Sequence, residues 1–218
     1  KWAAMAITEP GTGSDSANIR TSATRDGDDF ILNGEKIYVT SGERADCVVV
    51  WATLDRNLGR AAIKSFVVEK GTPGMTVTRL EHKLGIKASD TAAINFTDCR
   101  VPVANLLGNP EIDVGKGFAG VMETFDNTRP LVAAMAVGCA KASLERTKEL
   151  LKDYLDPNYS TLPLNASNVV ATVTRMEAEW EAARLLTLKA AWMADNKQPN
   201  SKEASIAKAK AGRVGNEI

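Results

Sequence analysis

Up to about residue 110 the apolar positions come in short runs bounded by Gly, Pro, Asn and Asp. Segments 21–25, 30–32, 36–40, 47–53, 62–69, 75–81 and 93–97 are rich in β-branched and aromatic residues, CVVVWAT being the clearest. Such runs fit a pleated, half-buried surface and predict strands. Asp26-Gly27 and Asn33-Gly34 are pairs that readily take positive φ at both centres of a type I′ turn, so each predicts a two-residue hairpin within a three-strand meander. Seven short strands in about a hundred residues point to an antiparallel sandwich or barrel.

Beyond Asn109-Pro110 the period changes to that of helices. Segment 115–125 leads into a helical stretch at 128–154, with Pro130 expected near a first turn, where its missing N–H is tolerated. Asp156-Pro157 ends it. Asn165 or Ser167 is positioned to cap the next helix, whose Val169, Val173, Met176 and Trp180 are predicted to share one face before it ends near Asp195. A third helix begins at Ser201. The fold class expected is α+β: an antiparallel β barrel or sandwich over 1–110, then long antiparallel helices over 111–218. The chain starts at Lys1 without an initiator Met and stops at Ile218 within a helical pattern, so both ends read as cut.

Composition narrows the partners. Among 218 residues, Lys plus Arg and Asp plus Glu each number 27, so zero formal charge gives no global attraction to nucleic acid or anionic lipid. The longest apolar run, 131–140, is broken by Gly138 and falls short of the roughly 20 residues a membrane span needs. Cys47, Cys99 and Cys139 are odd in number and widely spaced, which argues against a disulfide framework or a zinc site and suits a reducing compartment. A lone His82 makes no metal site and reads as a surface residue. Trp51, Trp180, Cys99 and Cys139 read as core.

Three segments carry candidate chemistry. In Ile7-Thr8-Glu9-Pro10-Gly11-Thr12-Gly13-Ser14-Asp15 the prolyl-glycyl turn can point backbone N–H groups outward together, and the Thr8, Thr12 and Ser14 hydroxyls can cradle an anionic or carbonyl-rich ligand. A plain surface turn is the alternative; neither a Walker loop nor a dinucleotide fingerprint is present. In segment 33–42, alternation puts Tyr38 and Thr40 on one face and Val39 on the other. That face can form the wall of a flat heteroaromatic ring or simply a half-buried strand. In Phe125-Asp126-Asn127-Thr128-Arg129-Pro130, Asp126 and Arg129 lie three apart and form either a local ion pair or a polar ligand contact.

Taken in order, TEPGTGSD, NGEKIYVT, KLGIKASDT and FDNTRP resemble the motif series of the acyl-CoA dehydrogenases, most like the medium-chain type. The resemblance runs from Ala4 to about Leu151 and again from about Arg175 to Glu217. It implies a flavoprotein of fatty acid β-oxidation whose middle β domain precedes a C-terminal four-helix bundle. This chain would hold that β domain and part of the bundle, without the family's N-terminal helical domain. Carried across, FAD would be lined by Met5, Ile7, Thr8, Gly13, Ser14, Tyr38, Val39 and Thr40, with the Thr40 hydroxyl near flavin N5. Acyl-CoA would meet Ser14, Asp126 and Arg129. The implied reaction is α,β-dehydrogenation to a trans-2-enoyl-CoA, with an α-proton taken by a carboxylate and a hydride passed to the flavin. An electron-transfer flavoprotein would be the acceptor, and the assembly a homotetramer or dimer of dimers. The setting would be bacterial cytoplasm or mitochondrial matrix.

Departures from the pattern matter as much. The family's usual base, a late glutamate, would lie beyond residue 218, and Thr128 stands where some members place it instead, so no catalytic residue is expected within the chain. Tyr38 replaces a common tryptophan. An Arg-x-x-Phe-Gly segment expected after the first bundle helix is missing, with Lys152 the nearest cation. Two alternatives stay open: an acyl-CoA oxidase of the same fold, and a non-catalytic partner subunit that retains it.

Overall fold

The computed structural model describes residues 1–112, 119–152, 155 and 168–218. They divide into two compact units, Lys1–Ala119 and Gly120–Ile218. The first holds one mixed, mostly antiparallel sheet of eight strands: β1 (Ala3–Ala6), β2 (Ser22–Asp26), β3 (Asp29–Thr40), β4 (Cys47–Thr53), β5 (Ile63–Glu69), β6 (Met75–Leu80), β7 (Thr91–Pro102) and β8 (Leu106–Leu107). The hydrogen-bonded order is β6-β7-β3-β2-β4-β5-β8, with β1 against β4. β2 meets β4 only at Ser22–Thr53, whereas β1 runs parallel to β4 from Ala3–Cys47 to Ala6–Val50. β1 thus lines the part of β4 that β2 does not reach.

Phe30 on β3 and Phe66 on β5 meet edge to face, their ring centroids 5.1 Å apart. Two strands separate them in hydrogen-bonded order, so the sheet curls until its far parts share one core. Leu32, Val39, Val48, Val50, Ile94, Phe96 and Val101 fill that core and are almost fully buried. Each large apolar side chain so buried contributes about 1.5–3 kcal/mol. Trp51 and Cys99 are buried and His82 is exposed, each as its surroundings in sequence suggest.

Gly27-Asp28 joins β2 to β3 in two residues, with positive φ at Gly27 (63°) but not at Asp28, the pattern of a II′ turn and not the I′ turn predicted. The other predicted hairpin does not exist. Residues 30–32 and 36–40 belong to the single strand β3, and Asn33 sits opposite a bulge on β7. The Asn33 amide takes over what a turn would have done: its Oδ1 accepts from Asp98 N at 2.8 Å and its Nδ2 donates to Asp98 Oδ1 at 3.2 Å. Gly34 is needed for proximity, since a Cβ there would stand 2.5 Å from Thr21 Oγ1. A second bulge follows. Lys36 pairs with Ile94 and Val39 with Ala92, so Ile37 and Tyr38 together oppose Ala93.

The second unit contains α1 (Ala119–Leu150), α2 (Asn168–Asp195) and α3 (Ser201–Glu217). Ala133, Ala183, Ala190, Ala204, Ala207, Ala211 and Val214 form its core, and such small residues let helix backbones approach closely. Ion pairs Lys189–Glu203 and Lys210–Glu179 link α2 to α3 in opposite chain directions, so the two are antiparallel. Trp180 Nε1 donates to the Val137 carbonyl at 3.1 Å, tying α2 to α1. Three expectations need correction. Pro130 lies well inside α1, where it leaves the Asp126 carbonyl without its i+4 donor. Val170, not Val169, turns inward beside Val173. Cys139 is exposed. The predicted caps Asn165 and Ser167 lie outside the described residues. No described helix is long and apolar enough to cross a membrane.

Candidate functional site

The prolyl-glycyl loop closes on itself: Glu9 N donates to Thr12 O and Thr12 N to Glu9 O, both at 3.0 Å. It is fastened to β3 from beneath. Lys36 is fully buried, and its Nζ donates to Ile7 O at 3.0 Å and to Glu9 Oε1 at 2.8 Å. The Glu9 carboxylate also accepts from Thr21 Oγ1 (2.6 Å), Thr21 N (2.9 Å) and Arg20 N (2.6 Å). Between these anchors Ile37 N, released from β7 by the bulge, donates to Thr8 O at 2.9 Å.

The charges follow this bonding. Burial pushes the Glu9 carboxyl upward, but Lys36, the Thr21 hydroxyl and the Arg20 amide together hold it below its ordinary value. Burial brings Lys36 down to about 8 against the attraction of Glu9. The carboxylate has four donors, whereas the more deeply buried ammonium has two acceptors, and burial prevails only for the lysine.

Bulge geometry decides what faces outward. Tyr38 takes φ 56°, a left-handed conformation uncommon for a bulky residue, and its side chain is 62% exposed. Thr40 is exposed too, whereas Val39 points into the core. On β1, Ala4 and Ala6 point inward and Met5 outward. Met5, Tyr38 and Thr40 therefore lie on the outer side of the sheet, with half-buried Thr8 alongside. The turn after Thr40 is braced by Asp90: Ser41 N donates to Asp90 O at 2.9 Å and Glu43 N to Asp90 Oδ2 at 2.9 Å. This gives the KLGIKASDT segment a structural task beside the candidate face.

Not every predicted group is available. Thr12 is buried, and its hydroxyl donates to Asn18 O at 3.2 Å, so it leaves the expected cradle. Ile7 and Val39 are buried side chains and can present only main chain. Gly13 and Ser14 are exposed beyond the turn. On α1, Arg129 Nη1 lies 2.6 Å from Asp126 Oδ1, and its guanidinium stands 5.7 Å over the Phe125 ring. Thr128 Oγ1 donates to Phe125 O at 3.3 Å. Lys152 is exposed. Sequence reasoning passed over Glu9, Thr21, Lys36 and Asp90. The one available signal was a lysine in phase with the apolar inward positions Phe30 and Leu32 of the same strand.

An exposed aromatic ring, a thioether and two hydroxyls on one outer surface fit a flat heteroaromatic group with polar edges, as FAD has. Comparison with known proteins bears on the same point. Residues 4–99 match the family model "Acyl-CoA dehydrogenase, middle domain" and 115–218 the model "Acyl-CoA dehydrogenase, C-terminal domain". The mitochondrial short-chain specific acyl-CoA dehydrogenase of Mus musculus is 39% identical over 219 residues, covering 100% of this chain and 52% of that protein. The structure of butyryl-CoA dehydrogenase from Megasphaera elsdenii superposes with a TM-score of 0.85 at 37% identity, over 97% of this chain and 54% of the other. That of the prolyl acyl carrier protein oxidase AnaB gives 0.82 at 33% identity, over 97% and 55%. The chain thus spans about half the length of the relatives it matches. On these matches and this fold, the chain belongs to the acyl-CoA dehydrogenase family.

Proposed function

We propose that the protein to which this chain belongs is an FAD-dependent dehydrogenase that converts an acyl-CoA thioester to a trans-2-enoyl-CoA. The observation that carries this reading is the hydrogen bond from Ile37 N to Thr8 O, which brings the prolyl-glycyl loop beside the strand bearing Tyr38 and Thr40. Bound FAD would supply the hydride acceptor. The chain's own groups bind and orient. Tyr38 offers a flat wall, the Thr8 and Thr40 hydroxyls bond the polar edge of the ring, and Met5 packs against it. Ile7 and Val39 contribute main chain, and Gly13 and Ser14 line the approach. Asp126, Arg129 and Ser14 are assigned to the acyl-CoA, the charged pair holding the CoA arm. The α-proton requires a carboxylate shielded from water, which we assign to a glutamate outside these residues, since the Thr128 hydroxyl cannot serve as that base. An electron-transfer flavoprotein is the proposed acceptor and a homotetramer the proposed assembly.

The test is spectroscopic. Purified full-length protein is expected to be yellow, and its flavin absorbance to bleach when butyryl-CoA is added without oxygen. A colourless protein that takes up no FAD would defeat the proposal and favour a non-catalytic partner subunit. The likeness to the AnaB oxidase structure keeps a second reading in view: under air, an oxidase yields peroxide without an added acceptor, whereas a dehydrogenase turns over only with one.

A further inference from the structure

We infer that Lys36 is a positioning residue for the flavin: from under the prolyl-glycyl loop, its ammonium sets where the Thr8 hydroxyl stands relative to Tyr38 and Thr40. This rests on the flavin reading given above. Three consecutive loop residues are held by two consecutive strand residues. Lys36 Nζ takes Ile7 O at 3.0 Å and Glu9 Oε1 at 2.8 Å, and Ile37 N takes Thr8 O at 2.9 Å. Thr8 is therefore bonded itself and bracketed on both sides. A slip of one residue would carry Glu9 away from Lys36, Thr21 and Arg20 together, stranding a buried charge.

Stability alone does not require this arrangement. Buried ion pairs are often replaced by well-packed apolar residues at little cost or with gain. Leu32 and Val39 show that the same strand fills the core with aliphatic side chains on either side of Lys36. What an apolar pair cannot supply is directional bonding to both neighbours of Thr8. The bulge that begins at the next residue turns Tyr38 outward, so Lys36 sits at the last paired position before the ring-facing segment.

The experiment uses the full-length protein carrying Glu9→Gln and Lys36→Met together, which leaves no buried charge at either position. The expected result is a far-UV spectrum and unfolding midpoint close to wild type, an FAD Kd raised at least tenfold, and a displaced visible flavin band. A folded double variant with wild-type FAD affinity and band shape overturns the inference. If the double variant does not fold, Thr21→Val decides, because it keeps the side-chain shape and deletes one bond to Glu9. Weakening of FAD by threefold or more supports the inference, and unchanged affinity overturns it. A wild type that binds no FAD defeats the proposed function itself, and is distinguishable from a wild type that binds FAD beside folded variants that bind it equally.

Discussion

The Glu9 carboxylate is 6% exposed and bonded to a lysine, a hydroxyl and two backbone amides. Its folded-state pKa lies below its unfolded value, so across that interval the unfolded chain binds more protons than the fold. The stability it contributes is complete above the ordinary carboxylate value and is lost as pH falls through the lowered one. Lys36→Met removes the attraction and one bond while burial remains, so the Glu9 pKa moves up. The variant is expected to lose about 3–5 kcal/mol at neutral pH, and its acid unfolding midpoint to shift to higher pH. Urea titrations at a series of pH values measure both, and an acid limb identical to wild type would refute the assignment. The contrast with Thr8, Tyr38 and Thr40 is instructive. Those three were legible through the flavin roles that the motif series implies, although the outward turn of Tyr38 comes from the bulge. Glu9 and Lys36 were not, because they lie 27 residues apart and neither has a local partner.

At the scale of elements, the pairing of β3 with β7 is irregular twice: at Asn33, where the extra residue is on β7, and at Ile37-Tyr38, where β3 itself bulges and breaks alternation. Asn-Gly suits a turn by its φ preferences, but the same residue types also serve at bulges, where the Asn33 side chain replaces the missing ladder bonds. No periodicity count separates these outcomes, since the deciding partner, Asp98, lies 65 residues away. The helices were more readable, as 3.6-residue spacing marks α2, though with Val169 in place of Val170 on its inner face, and Ser201 marks the start of α3. Their alanine seam permits close packing and leaves little room. Ala207 is fully buried in it, so Ala207→Leu is expected to overpack the interface and cost about 1–3 kcal/mol. Chemical denaturation followed at 222 nm measures this, and a loss under about 0.5 kcal/mol would show that the seam can open to accept a larger side chain.

For the molecule as a whole, a ligand that binds only the folded state stabilises it by mass action, about 2.7 kcal/mol at a hundredfold excess over Kd. FAD is therefore expected to raise the unfolding midpoint of the full-length protein, and to raise it less in the Glu9→Gln/Lys36→Met variant at the same concentration; thermal scans with and without FAD test this, and equal shifts would contradict weaker binding. The string of residues was enough for the succession of a β unit and a helical unit, most strand positions, the balanced charge and the family motifs. All of these depend on nearest-neighbour preference and on period along the chain. Only the tertiary structure decided that β3 is one bulged strand, that β1 runs beside β4, that Thr12 turns inward, and that a buried lysine fastens the loop. Each of these depends on bonds between residues distant in sequence, and a backbone N–H or buried charge takes whichever partner the folded chain brings within reach.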